Sequence, residues 1–230
     1  MQIYIGYLPR PAFKSNEEAL AELTGAISDA GFEPGADVGI ALDIAATQLW
    51  RGGRYHLALE KRTLSAEQLH AMLLRWIERY PIVSIEDPFA EHDSDAMASF
   101  TRTAGERIQI VGDDFFVTDV KKLQLGKTKG ACNAVLLKPN QVGTLTETLA
   151  CWRAAQAAGY GAIVSARSGE TEDVSIVHLA VGWGVPQLKV GSFSRSERMA
   201  KWNEGLRIEE SLAGSKLPYP ARKLFKRPAG

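Results

Sequence analysis

Six short runs of β-branched and other apolar residues recur along the chain, at residues 38–45, 81–88, 108–115, 134–139, 162–167 and 187–192, and each ends in polar residues. Polar alternation inside the runs is slight, which is the pattern of strands buried on both faces. Stretches with a helical period lie between them. Ser15-Asn-Glu-Glu18 reads as a capping box opening a helix with Leu20, Leu23 and Ile27 on one face and Gly31 at its close. Residues 65–80 place Leu69, Met72, Leu73 and Ile77 at helical spacing, residues 144–158 end at Gly159, and residues 195–212 read as a last helix. Strands alternating with helices predict parallel βα units in one domain, because no low-complexity linker divides the chain.

The 230 residues, 45% of them apolar, suffice for one sizeable core and fit an ordinary globular protein. Lysine and arginine number 27 against 27 acidic residues, so no overall field draws the chain to nucleic acid or to an anionic membrane, and any ligand attraction is local. Cys132 and Cys151 fit reduced thiols rather than a disulfide, no apolar run reaches the roughly 20 residues of a membrane span, and no signal peptide opens the chain. These features lead to the expectation of a cytoplasmic protein without nucleic-acid or membrane partners. Lys121, Lys122, Lys127 and Lys129 around Gly126 read as a solvated loop, and His178 as a rim histidine in a helical stretch.

The charged residues at the strand ends change the picture. Asp43, Glu86, Asp113, Lys138, Arg167 and Lys189 follow one another at separations of 43, 27, 25, 29 and 22 residues. Apart from the first interval, which holds an insertion around Arg51 and Arg54, each is about one βα unit. In a parallel α/β barrel all carboxyl ends of strands meet on one face, where such barrels carry their sites. Three carboxylates and three cations then line one cavity. Asp43, Glu86 and Asp113 form an oxygen-ligand set suited to a hard divalent cation such as Mg2+, and crowding three like charges calls for a counter-ion. Each acid taken alone also reads as a helix cap or a surface ion pair. Lys138 and Lys189 read either as a base with a lowered pKa or as salt-bridge partners of neighbouring acids. Arg167 and Ser168, in the stretch SARSGETED at residues 165–173, offer a planar fork and a hydroxyl ahead of a helix start, a combination suited to phosphate or carboxylate. Capping is the other reading of Ser168.

The motifs SIEDPF (84–89), GDD (112–114), LLKPNQVGTLTET (136–148), SARSGETED (165–173), SRSER (194–198) and LRIEE (206–210) resemble those of the enolase family over roughly residues 15–212. The resemblance implies a fold: a TIM-type α/β barrel, here incomplete, with about six parallel strand–helix units. It implies a magnesium-dependent lyase that removes the proton α to the carboxylate of 2-phosphoglycerate and eliminates hydroxide to give phosphoenolpyruvate. By position it assigns metal ligation to Asp43, Glu86 and Asp113, the base to Lys138, substrate carboxylate contact to Lys189, and phosphate contact to Arg167 and Ser168. The substrate it implies is a small phosphorylated or phosphonate carboxylic acid.

Departures from the family pattern shape the remaining expectations. The family's N-terminal domain, its first hairpin and helix, and the loops bearing a serine, a histidine and the acid that helps hydroxide leave find no counterpart here; residues 1–14 stand where the acid loop is expected. Ala166 replaces the histidine before the arginine, and Pro139 replaces the valine after the base. Proton abstraction is expected to survive, while dehydration is expected to be impaired or changed, as in a phosphonate-pathway relative resembling carboxyphosphonoenolpyruvate synthase. The alternative is a non-catalytic paralogue acting as an interaction or structural protein. With six strands, or seven if residues 1–7 supply one, the barrel does not close, so its gap is expected to be covered by a second subunit of a homo-oligomer, by another chain, or by the basic tail (213–230) with Lys216, Arg222, Lys223, Lys226 and Arg227.

Overall fold

The structure, a computed structural model, describes residues 13–212 and the backbone of the two-residue strand β1 (Gln2–Ile3). The segment at 5–11 and the basic tail lie outside the described residues. The core of the fold is built from β2 (Gly39–Asp43), β6 (Ile82–Glu86), β7 (Gln109–Gly112), β8 (Ala134–Leu137), β9 (Gly161–Ser165) and β10 (Leu188–Lys189). These are the six runs expected from the sequence. With β1 they form one curled sheet in the order β1-β2-β6-β7-β8-β9-β10, every neighbouring pair parallel. This is a partial α/β barrel of TIM type.

Both faces of the sheet are apolar, as unbroken hydrophobic strands require. Ile85, Ile110, Val135, Leu137, Ala162 and Val164 join the main core under the helices. Val111, Ala134, Leu136 and Ile163, their neighbours in sequence, form a second small cluster on the opposite, barrel-interior face. Because side chains alternate along a strand, Glu86, Asp113, Lys138 and Arg167 share the parity of this interior set. Register adds the other two. Asp43 is paired with Glu86, and Lys189 with Ser165.

The helices α1 (Asn16–Asp29), α2 (Ala66–Arg79), α3 (Ser94–Ala104), α4 (Val120–Lys129), α5 (Pro139–Val142), α6 (Leu145–Ala158), α7 (Ser175–Gly182) and α8 (Ser196–Ser211) fill the connections. Ser15 caps α1 by accepting from Glu18 N, but the Glu18 carboxylate accepts from Lys14 N rather than from the cap residue. Ser65 and Gln68 form the full reciprocal capping box at α2. The insertion around Arg51 and Arg54 is a three-stranded antiparallel sheet of β3 (Trp50–Arg51), β4 (Arg54–Leu57) and β5 (Arg62–Leu64), turned at Gly52 and Gly53 with φ of 56° and 80°. No described helix is long and apolar enough to cross a membrane.

The lysines around Gly126 lie on α4, and not on the solvated loop expected for them. A mid-helix glycine argues against helix on propensity alone, and the reason for it is tertiary. A Cβ on Gly126 would stand 2.4 Å from Phe116 Cε1, and one on Gly112 would stand 2.5 Å from Phe116 Cδ2. Phe116 is fully buried between these two glycines, locking α4 to β7. The glycine's cost to the helix is offset by an aromatic anchor beneath it. Gly126→Ala is therefore expected to lower stability by about 1–3 kcal/mol through overpacking, despite a helix-propensity gain of about 1 kcal/mol. Urea unfolding should show partial recovery in Gly126→Ala/Phe116→Leu, and a stabilised single variant would contradict this packing.

Candidate active site

The strand ends bring five of the seven candidate residues into two ion-paired groups, Lys189 with Asp43 and Glu86, and Lys138 with Asp113. Lys189 Nζ lies 3.0 Å from Asp43 Oδ2 and 2.8 Å from both Glu86 carboxylate oxygens. Lys138 Nζ pairs with Asp113 Oδ2. Asp43 and Lys189 are 146 positions apart, so the contact is wholly a product of the parallel topology. Of the two readings the sequence left for each lysine, ion pairing is what the structure displays.

Burial sets the electrostatics. Glu86 is 1% exposed, and loss of solvent pushes its pKa well above the ordinary glutamate value. Lys189 opposes that shift, while the negative charges of Asp43 and Asp113 add to it. Asp43 and Asp113 each lie within electrostatic reach of Glu86. Asp113 is held from behind. Asp87 Oδ1 accepts from Asp113 N at 3.0 Å and Asp87 Oδ2 from Asp114 N at 2.7 Å. Burial pushes the Asp87 carboxyl up to about 7, with these two N–H donors working against the rise. Its backbone sits at φ 41°, in the left-handed region, which turns the chain sharply after Glu86.

Several oxygens here are suited to a cation. Asp87, Asp113 and Asp114 have one oxygen each within 4.8 Å of the others. Asp87 already accepts a backbone donor on each oxygen, which makes it a support for the Asp113–Asp114 backbone. Asp113 Oδ1, in contrast, is buried without a hydrogen-bond partner among the described residues. A buried carboxylate oxygen left in this way is costly unless it has a counter-charge. Among the described residues Asp43 and Glu86 do not join this group of oxygens, so the expected set of Asp43, Glu86 and Asp113 is not gathered to ligating distance here; clustered carboxylate oxygens are the chemistry of a hard divalent cation.

Lys138 directly follows β8, and its backbone N–H donates to Thr118 Oγ1 at 3.0 Å. Thr118 in turn donates to Gln141 Oε1 at 2.9 Å, fixing the strand end against α5. Pro139 occupies the first turn of α5, where a missing N–H removes no helical bond. The proline beside the lysine is thus absorbed by a helix start.

Arg167 and Ser168 follow β9 beside these groups, outside their ion pairs. Arg167 is partly buried and its guanidinium donates to Asn140 Oδ1 at 3.3 Å, two positions after Lys138. Ser168 is exposed. Of the acids that follow, only Asp173 serves the helix start, accepting from Ser175 N at 2.9 Å. Glu170 turns back, accepting from Arg167 N at 2.7 Å and pairing with Lys201 at 2.9 Å. His178 pairs with Glu204 across α7 and α8 and is more than half exposed. Sequence reasoning did not single out Asp87, Thr118, Glu170, Arg198 or Lys201. Asp87, Glu170 and Arg198 sit inside motifs quoted above and Thr118 and Lys201 lie outside them, but nothing local to any of the five announces its partners.

A parallel strand–helix sheet with carboxylates and lysines converging at its carboxyl ends defines a β/α-barrel protein with its site on the catalytic face of that class. Comparison with known proteins narrows the class. The family described as Enolase, C-terminal TIM barrel domain, matches residues 6–227, and the chain belongs to the enolase family. It is similar to Enolase 1 of Desulfitobacterium hafniense (strain Y51), with 50% identity over 215 residues, covering 93% of this chain and 49% of that protein. The chain spans about half the length of this relative.

Asp87→Ala leaves two backbone donors without their acceptor. It is expected to cost about 2–4 kcal/mol, with Asp87→Asn, which keeps one good acceptor, costing less in urea unfolding. Equal stability of both variants and the parent would contradict the supporting role.

Proposed function

We propose that the chain carries out enolase-like proton abstraction from the carbon α to the carboxylate of a small phosphorylated or phosphonate carboxylic acid. The observation that carries this reading is the pairing of two strand-end lysines with three strand-end carboxylates, one of them with an oxygen left without a partner. The family membership and the enolase-named relative support the same reaction class.

In this reading Asp43, Glu86 and Asp113, whose oxygens do not converge to ligating distance without the ion, would hold Mg2+, and the bound ion would neutralise negative charge developing on the substrate carboxylate. A lysine base working with one or two magnesium ions is the known pattern of the enolase superfamily. Lys138 takes the α-proton, which requires its neutral amine, and its release from Asp113 is the condition for that. Lys189 places a positive charge against the carboxylate oxygens as the enolate forms. Arg167 and Ser168 receive the phosphate or phosphonate, the guanidinium by a bidentate fork. Proton abstraction and loss of hydroxide are separable steps, and the residues named here act on the first.

Solvent exchange separates these steps experimentally. In D2O with Mg2+, 2-phosphoglycerate is expected to incorporate deuterium at its α-carbon. Lys138→Met should slow that exchange by about 10²- to 10⁴-fold, and phosphoenolpyruvate formation is followed by absorbance in parallel. Calorimetric titration with Mg2+ should give binding that Asp113→Asn weakens. Neither exchange nor Mg2+ binding in the parent chain would overturn the enzyme reading in favour of a paralogue whose ion cluster is purely architectural.

A further inference from the structure

The loop that bears Arg167 and Ser168 is exposed at Ser168 and Gly169, and it has little apolar surface to hold it down. Ordering such a segment costs backbone entropy that some other interaction must offset. Two cations of α8 supply it. Arg198, one turn into the helix, donates from Nη1 to Arg167 O at 2.8 Å and Val190 O at 2.9 Å, and from Nη2 to Ser168 O at 2.9 Å. Lys201, three positions on and on the same helix face, pairs with Glu170 at 2.9 Å and donates to Thr171 O at 2.7 Å and Glu197 O at 3.1 Å.

The arrangement is built around these side chains. Lys201 has no side-chain exposure at all, an expensive place for an ammonium group, and its donors are directed at three acceptors. Glu170 closes the circuit by accepting from Arg167 N at 2.7 Å. Gly191, at φ 112°, makes room for the guanidinium, since a Cβ there would stand 3.1 Å from Arg198 Cδ. Four of these six acceptors lie on residues 167–171, the one on Val190 adjoins Lys189, and the last, Glu197 O, belongs to α8 itself. One guanidinium therefore fixes the Arg167–Ser168 backbone and the end of the strand that carries Lys189 relative to each other.

We propose that Arg198, Lys201 and Glu170 are positioning residues that hold the Arg167–Ser168 loop in the shape that receives an anionic phosphate or phosphonate group. The proposal rests on the anion-binding reading of Arg167 and Ser168 given above. These three side chains act through the loop backbone and not by touching the ligand. Their effect on anion affinity is thus separable from their effect on stability.

The test uses inorganic phosphate as probe, titrated calorimetrically into the full chain, with Mg2+ binding and urea unfolding measured on the same variants. Arg198→Lys keeps the charge and loses the planar fork that spans two strand-end loops. It is expected to weaken phosphate binding tenfold or more while Mg2+ affinity stays within about twofold. Lys201→Met alone strands Glu170 and is expected to destabilise the chain. Lys201→Met/Glu170→Gln removes the buried charges together and should regain most of that stability, yet phosphate affinity should stay low because Thr171 O has lost its donor. Parent-like phosphate affinity in Arg198→Lys, or in the folded double variant, overturns the positioning role alone. A parent chain that binds Mg2+ but no phosphate overturns the anion reading and this proposal with it.

Discussion

Charge balance at the carboxyl ends of the strands is the constraint on which this structure turns. Glu86 lies at the end of a strand packed on both faces, 1% exposed, with Asp43 in register beside it and Asp113 near enough to raise its pKa further. Glu86 and Asp113 are buried while Asp43 is exposed, and carboxylates at such poorly solvated strand ends call for positive charge among them. Lys189 and Lys138 provide it, each from a strand end that the parallel topology carries to the same place. The residues that balance charge here are the same ones to which the proposed reading gives the roles of base, electrostatic catalyst and carboxylate ligands.

The surrounding elements keep that balance in register. Asp87 turns the chain after Glu86 and fixes the backbone at Asp113 and Asp114. Thr118 fixes the backbone at Lys138. Arg198 joins the β9 loop to the end of β10. None of these supports is the nearest in sequence to the residue it holds, apart from Asp87 beside Glu86. The fold thus achieves rigidity at its loops by long-range polar ties where apolar packing is thin.

The strands and their charged ends were legible in the sequence because both signals are local. An unbroken apolar run needs no partner to be read, and a charge at its end has few bland explanations when it recurs at βα spacing. Helices α1, α2, α6 and α8 were legible from caps and period. Helix α4 was not, since Gly126 conceals it and the reason for Gly126, the Phe116 ring, lies ten positions away. Glu170, inside the quoted SARSGETED motif, turns inward to Lys201, a partner that only the docking of α8 supplies. Pro139 stood out in the sequence as a departure from the family pattern, and the start of α5 makes its missing N–H harmless. What escaped the sequence is in each case a contact between elements rather than a property of one.

The central claim is that Glu86 and Lys189 stabilise each other across the site and so hold the strand ends together. A double-mutant cycle of Glu86→Gln and Lys189→Met, read by urea unfolding at neutral pH, measures that coupling directly. A coupling of about 1.5 kcal/mol or more is predicted, within the usual range for contacting groups of one network. A coupling of less than about 0.5 kcal/mol, within the scatter expected of independent sites, would contradict the account.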